Sequence, residues 1–383
     1  MPAHRTPVAR SLGHKFRCCD NLPQRKKCAH ARSAHARDDL RQHVAGVAAH
    51  VRLIFAPAMS SLQSLLKHRS RFATTTAAFF SLFLAGCADD AEEAPKPSAF
   101  ELRFVPTADG KEVGCKDAVT GVGPDGDASV GLSDLRFYVS NLQLSDAKGK
   151  PVEVTLDDND FQLNSKTGSV ALIDATGNTQ GSCAGTAIAF AEGTARTNLS
   201  ITGTTVVENV TSVSFDIGVP QALMQETVAE NTAEGAPSPL NEMYWTWATG
   251  YRHFVLNFTV ENAAGETGDG YLHVGSRDCG PEDGLALEDR DACTFVNTPA
   301  VSLPKFDLSK NHVAIDIPRL IKGLDLVAPV YDPETFEVLG EGPGAECHSS
   351  PMQPDCEVLF SGLGLDLETG DADASNNEVF SAD

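Results

Sequence analysis

Metal ligation is the first chemistry these side chains suggest. Downstream of residue 87, the 383-residue chain holds four histidines, His253, His273, His312 and His348, and three methionines, Met224, Met243 and Met352. Imidazole suits copper, and Cu(I) also accepts thioether sulfur. The two tryptophans, Trp245 and Trp247, stand two apart in Met243-Tyr244-Trp245-Thr246-Trp247, so on a strand they share one face. A ring of that size needs a built environment and a partner for its N–H, and a buried core pair is the plain reading. His253 alternates with the apolar face of its strand and is expected to be exposed. His312, after Lys310-Asn311, and His348, beside Cys347, are expected in solvent.

Catalytic signatures are missing. There is no Gly-x-Ser-x-Gly elbow, no phosphate-binding glycine loop and no His-Glu-x-x-His, so the polypeptide alone is not expected to be an enzyme. The stretches 123–127 and 366–373 crowd carboxylates as calcium loops do, but lack the twelve-residue spacing and read as solvated turns.

The elements that would carry these residues are strands. From Phe100 onwards, short segments alternate with period two between Gly, Asp, Asn and Pro turns. Strands are predicted around Phe100–Phe104, Leu135–Leu144, Val152–Leu156, Val170–Ile173, Ala187–Phe190, Leu199–Ile201, Val210–Ile217, Phe254–Val260 and Val313–Ile317, with one short helix at 317–324. The stretch 121–131 reads as a turn-rich loop, 221–239 as polar and helix-tolerant, and 280–290 and 326–354 as long loops. The pattern predicts an all-β chain, an antiparallel β-sandwich with long disulfide-tied loops, in one domain over residues 100–383.

What precedes that domain is different in kind. Residues 1–58 hold eleven Lys/Arg, three Asp/Glu and six of the eleven histidines, and are read as a non-native, disordered extension. Met59 is followed by Lys67, Arg69 and Arg71, an apolar run from Phe72 to Leu84, and Leu84-Ala85-Gly86-Cys87. A basic start, a short apolar run and a lipobox make residues 59–87 a lipoprotein signal peptide, with Cys87 the lipidated residue and 88–99 an acidic linker. The chain is therefore expected on the periplasmic side of a bacterial membrane, the outer one by preference, held by lipid. From Cys87 onwards 16 Lys/Arg face 49 Asp/Glu, a net charge of −33 that argues against nucleic acid and against anionic lipid as protein-bound partners.

Six further cysteines, Cys115, Cys183, Cys279, Cys293, Cys347 and Cys356, form an even set without Cys-x-x-Cys spacing, which in an exported chain reads as disulfides in any of fifteen pairings.

A run of motifs narrows the reading. Asp134 to Ser140, the Gly218-Val219-Pro220 turn, Ser238-Pro239-Leu240-Asn241, the Trp-x-Trp strand with Gly250-Tyr251, Leu272-His273-Val274-Gly275-Ser276 with Cys279, and Phe360-Ser361-Gly362-Leu363-Gly364 follow in order. This series resembles the MbnP-like family, the copper-binding proteins of methanobactin gene clusters and metallo-mystery pair systems, related to MopE and CorA. The resemblance implies a periplasmic copper-binding β-sandwich working beside a di-haem cytochrome c peroxidase-like partner of the MbnH type, which oxidises a tryptophan, here Trp245 or Trp247, to kynurenine. It implies copper at His273. The family commonly has Leu-Asn-His after Gly-Val-Pro, where this chain has Leu223-Met224-Gln225, so Met224 and His253 become the candidates to complete the site. Together with nearness in the chain, the family's four-cysteine pattern implies Cys115–Cys183, Cys279–Cys293 and Cys347–Cys356. The alternative is a structural or interaction lipoprotein of the same fold that has lost its metal.

Overall fold

A computed structural model describes residues 95–383 apart from 116, 178–182, 184–196, 231–235, 246–249, 280–292, 333 and 336. The N-terminal extension, the signal segment, Cys87, the predicted strand at 187–190, Trp247 and the loop at 280–290 lie outside the described residues.

In chain order the first strands are β1 (Ser98–Ala108), β2 (Lys111–Glu112), β3 (Ala118–Val122), β4 (Ala128–Ser145), β5 (Pro151–Val152), β6 (Val154–Leu156), β7 (Gln162–Ser165), β8 (Gly168–Asp174) and β9 (Ser200–Thr205). They are followed by β10 (Ser212–Ile217), β11 (Tyr244–Trp245), β12 (Gly250–Glu261), β13 (Thr267–Gly275), β14 (Ala300–Pro304), β15 (Val313–Asp316), β16 (Val327–Tyr331), β17 (Val338–His348) and β18 (Phe380–Ala382). Helices are few: α1 (Gln221–Glu230), α2 (Ile317–Ile321) and α3 (Asp355–Gly362). The fold is mostly β and mostly antiparallel, as the alternation predicts.

One sheet runs β18-β15-β1-β9-β6, and the larger runs β14-β10-β4-β12-β13-β17-β16. Apolar residues of both sheets meet in one core, where Phe104 of β1 packs edge-on against Phe137 of β4 and Phe215 of β10 at 5.7 and 5.6 Å between ring centres. Edge-on contact suits the ring quadrupoles and adds to the burial of each phenylalanine. The larger sheet also buries part of its other face. Tyr138, Val170, Leu172, Tyr251 and Val255 form a second cluster with Leu223 and Met224 of α1 and with Leu240 and Met243. Residues of β4 and β12 therefore alternate between two interiors instead of between core and water.

Three features depart from the sequence reading. The loop expected at 121–131 narrows to a turn at 123–127, because β3 pairs with the start of β4 on either side of it. The long loop expected at 326–354 is mostly the β16–β17 hairpin, whose Gly340 and Gly342 pair with β16 and whose Gly344 pairs with β13 instead of breaking the strand. Two pairings are parallel, β1 with β15 and β13 with β17. Alternation within a strand carries no information about a parallel neighbour far along the chain.

The structure joins Cys115 to Cys183, Cys279 to Cys293 and Cys347 to Cys356. The last of these ties the end of β17 to α3.

Candidate metal centre

The turn between β12 and β13 sets the register from which the site follows. Asn262 Oδ1 accepts the backbone N–H groups of Ala264 and Glu266, and Gly265 takes a φ of 76°, a left-handed conformation that glycine adopts without a Cβ clash. With that turn fixed, Val255 stands opposite His273 and Asn257 opposite Tyr271. A slip of one residue would turn His273 to the other face of the sheet.

The parallel pairing of β13 with β17 then sets His273 beside His348. Their Nδ1 atoms approach to 3.1 Å and their rings to 4.9 Å between centres. His348, expected in solvent, is only half-buried: it sits on the paired segment of β17, so its ring leans over the sheet towards its neighbour while part of it stays exposed. Ser349 closes the end of the pair, accepting the Gly275 N–H at 2.8 Å and donating its hydroxyl to the His273 carbonyl at 3.1 Å.

The outer nitrogens have partners of their own. His273 Nε2–H donates to Asn257 Oδ1 at 2.8 Å, so its Nδ1 is the acceptor nitrogen of the ring. His348 Nε2 lies 3.6 Å from Glu346 Oε1, close enough for electrostatic attraction but longer than a hydrogen bond. With His273 in that tautomer, the 3.1 Å contact is a hydrogen bond from His348 Nδ1–H to His273 Nδ1. Burial, then the positive charge of Arg252, holds His273 well below its ordinary pKa, and burial lowers His348 against the pull of Glu346. Both rings are neutral at pH 7, the form that ligates metal.

A cation held by both Nδ1 atoms would take the place of that shared proton, which His348 would carry on Nε2 beside Glu346 instead. Two nitrogens 3.1 Å apart are near enough that one ion would be held by both. Asn257 supplies the outer hydrogen bond that orients a metal-binding imidazole, and Glu346 sets a carboxylate near the other ring. The donor set therefore fits a soft or borderline ion such as copper. It is a pair: among the described residues no group of three or more His, Cys, Asp or Glu could hold an ion.

Trp245 completes the surroundings. Its ring stands edge-on to His273 at 6.0 Å and to His348 at 6.4 Å, and it is buried. Trp245 and His348 line a cavity of about 540 Å³ together with Ser276, Arg277, Ser349 and Gln353. Gly275 makes room for the indole, since a Cβ there would come within 2.8 Å of Trp245 Cζ3 and 2.5 Å of the Tyr251 carbonyl.

The other candidates lie elsewhere. His253, expected to be exposed, is buried, because the β12 face that carries it is covered by the segment around Val296. Its Nδ1 accepts the Val219 N–H at 3.1 Å and its Nε2 donates to the Val296 carbonyl at 2.9 Å, so neither nitrogen is left for an ion. That imidazole staples the Gly-Val-Pro turn to β12. Met224 sulfur lies 3.4 Å from Ser276 Oγ and 3.7 Å from Cys293 Sγ, in the second apolar cluster and against the Cys279–Cys293 bridge. His312 is partly exposed near Asp383, and Met352 is 86% exposed.

Sequence reasoning singled out His273 and Trp245 and did not place His348, Asn257 or Glu346 beside them. A signal was present: Tyr271-Leu272-His273 and Glu346-Cys347-His348 share one alternation, and the structure pairs them residue for residue.

The profile of the MbnP family matches residues 97–337, well over half of the chain. The chain belongs to the MbnP family. Among solved structures, MbnP from Methylosinus trichosporium is similar to it, with 26% identity and a TM-score of 0.54, over 75% of this chain and 98% of that one. No curated protein matches. The profile covers His273 and Trp245 but stops before His348.

Proposed function

We propose that this MbnP-family chain is a lipid-anchored periplasmic protein that binds copper at His273 and His348 beside Trp245. It has no catalytic role of its own and works with a di-haem cytochrome c peroxidase-like partner that oxidises Trp245. The observation that carries the reading is the meeting of two neutral imidazoles at Nδ1, one held by the Asn257 acceptor and the other beside the Glu346 carboxylate, against the tryptophan of the family's aromatic strand. Copper would supply a soft acid at that point. The chain supplies the orientation, through Asn257 and Glu346, and the dry wall, through Trp245.

One observation favours the second reading, a sandwich lipoprotein without a metal. The site counts two imidazoles, and Gln225 stands where the family commonly has a histidine. Copper titration under reducing conditions separates the two. The metal reading expects one equivalent bound by the native chain and none by either His273→Ala or His348→Ala. A native chain that binds none, while folded by circular dichroism, would establish the second reading.

A further inference from the structure

Among the described residues, every large hydrophobic side chain that is strongly exposed lies between residues 327 and 352. Val327, Val330 and Tyr331 belong to β16, Val338 and Leu339 to β17, and Met352 to the turn that follows. Val338 and Leu339 are 62% and 66% exposed. Isolated exposed apolar residues need no explanation, but their confinement to one hairpin does. The hairpin is also the margin of the larger sheet, with β16 as its edge strand.

The electrostatics of the same segment are one-sided. From Gly323 to Asp383 there are fourteen Asp/Glu and no Lys or Arg. Asp332, Glu334, Glu337 and Glu341 flank the apolar residues of the hairpin. A second copy of this chain would bring the same carboxylates to the contact, and an anionic bilayer would repel them, since like charges brought together oppose association. Pro329 in β16 lacks the N–H that edge-to-edge strand pairing uses.

The hairpin also leads to the imidazole pair. Tyr331 Oη donates to Glu346 Oε2 at 3.3 Å, Glu346 Oε1 lies 3.6 Å from His348 Nε2, and His348 meets His273. Ser349, Ser350 and Gln353, which flank the exposed Met352, line the cavity that holds Trp245 and His348.

We infer that the β16–β17 hairpin with Met352 is a docking surface for a folded protein that presents an apolar centre within a basic rim, and that such a partner sits over the mouth of the Trp245–His348 cavity. The placement of the surface stands on exposure and charge. Its meaning for the site rests on the copper reading.

The test uses the folded chain from residue 88 onwards and a basic c-type cytochrome as the probe, a protein whose lysines ring an apolar haem edge. Calorimetry should show one-to-one binding whose Kd weakens at least ~10-fold between low salt and physiological ionic strength. The Val338→Asp/Leu339→Asp double variant, which changes two exposed side chains, should lose at least ~10-fold in affinity and keep copper stoichiometry. Glu208→Gln, at an exposed acid outside the hairpin, should leave Kd within about twofold. No binding, or equal binding by the double variant, overturns the inference. So does reversible dimerisation of the native chain that the double variant abolishes, which would make the occupant a second copy. Copper binding is measured separately in each variant, so failure of the metal reading leaves the docking result readable.

Discussion

Replacing His348 should cost as much copper as replacing His273, because each supplies one of the two nitrogens. Met224→Ala should leave copper stoichiometry unchanged, since its sulfur packs against Ser276 and the Cys279–Cys293 bridge. Titration with a Cu(I) chelator in competition checks all three, and loss of copper in Met224→Ala alone would move the site. Asn257→Leu removes the acceptor that fixes the His273 tautomer and should weaken copper roughly 10- to 100-fold. His253 belongs to stability. Burial lowers its pKa to about 4, so in acid the unfolded chain takes up a proton that the native chain refuses. Its contribution is complete above about pH 6.5 and is lost as pH falls towards 4, by about 3 kcal/mol. His253→Gln keeps an acceptor and a donor and should flatten that part of the acid slope in urea unfolding; an unchanged slope would refute the assignment. At this scale the sequence marked His273 through a local motif. His348 carried no local motif, because its role comes from a neighbour 75 positions away, and the expectation of solvent was reasonable for a histidine beside a cysteine in a Gly-rich segment.

Strands make the site more than any single side chain does. Gly275 ends β13 where the indole crosses it, and a methyl group there would meet both the Tyr251 carbonyl and the Trp245 ring. Gly275→Ala should therefore cost about 1–3 kcal/mol and displace the tryptophan. Chemical denaturation and tryptophan emission read both effects, and native values for both would show that the contact yields freely. Most strands were legible because period two survives wherever a core lies on one side: β1, β4, β10, β12 and β15 fall where the alternation put them. The hairpin β16–β17 was not legible, as its apolar residues face water and its glycines imitate a loop. Nor was either parallel pairing, since parallel neighbours are chosen by the topology of the whole sheet.

For the molecule as a whole, partner chemistry can be read by mass. Co-expression with an active di-haem partner should add about 4 Da to the intact chain, the difference between tryptophan and kynurenine, and fragmentation should place it on Trp245. An unchanged mass beside a demonstrably active partner would reject the modification. The parallel contact of β13 with β17 carries one more consequence, in the order of assembly. His273 and His348 are not neighbours until the chain has closed a loop of some seventy residues, and contacts of such separation form late because the entropy of closure must be met before they contribute. A chain still being synthesised holds His273 without its companion for the whole time that the intervening strands are emerging. If the pair holds copper as proposed, two-imidazole binding would begin only once β17, the last strand of the larger sheet in chain order, is in place, and a chain cut short before it would lack the second imidazole.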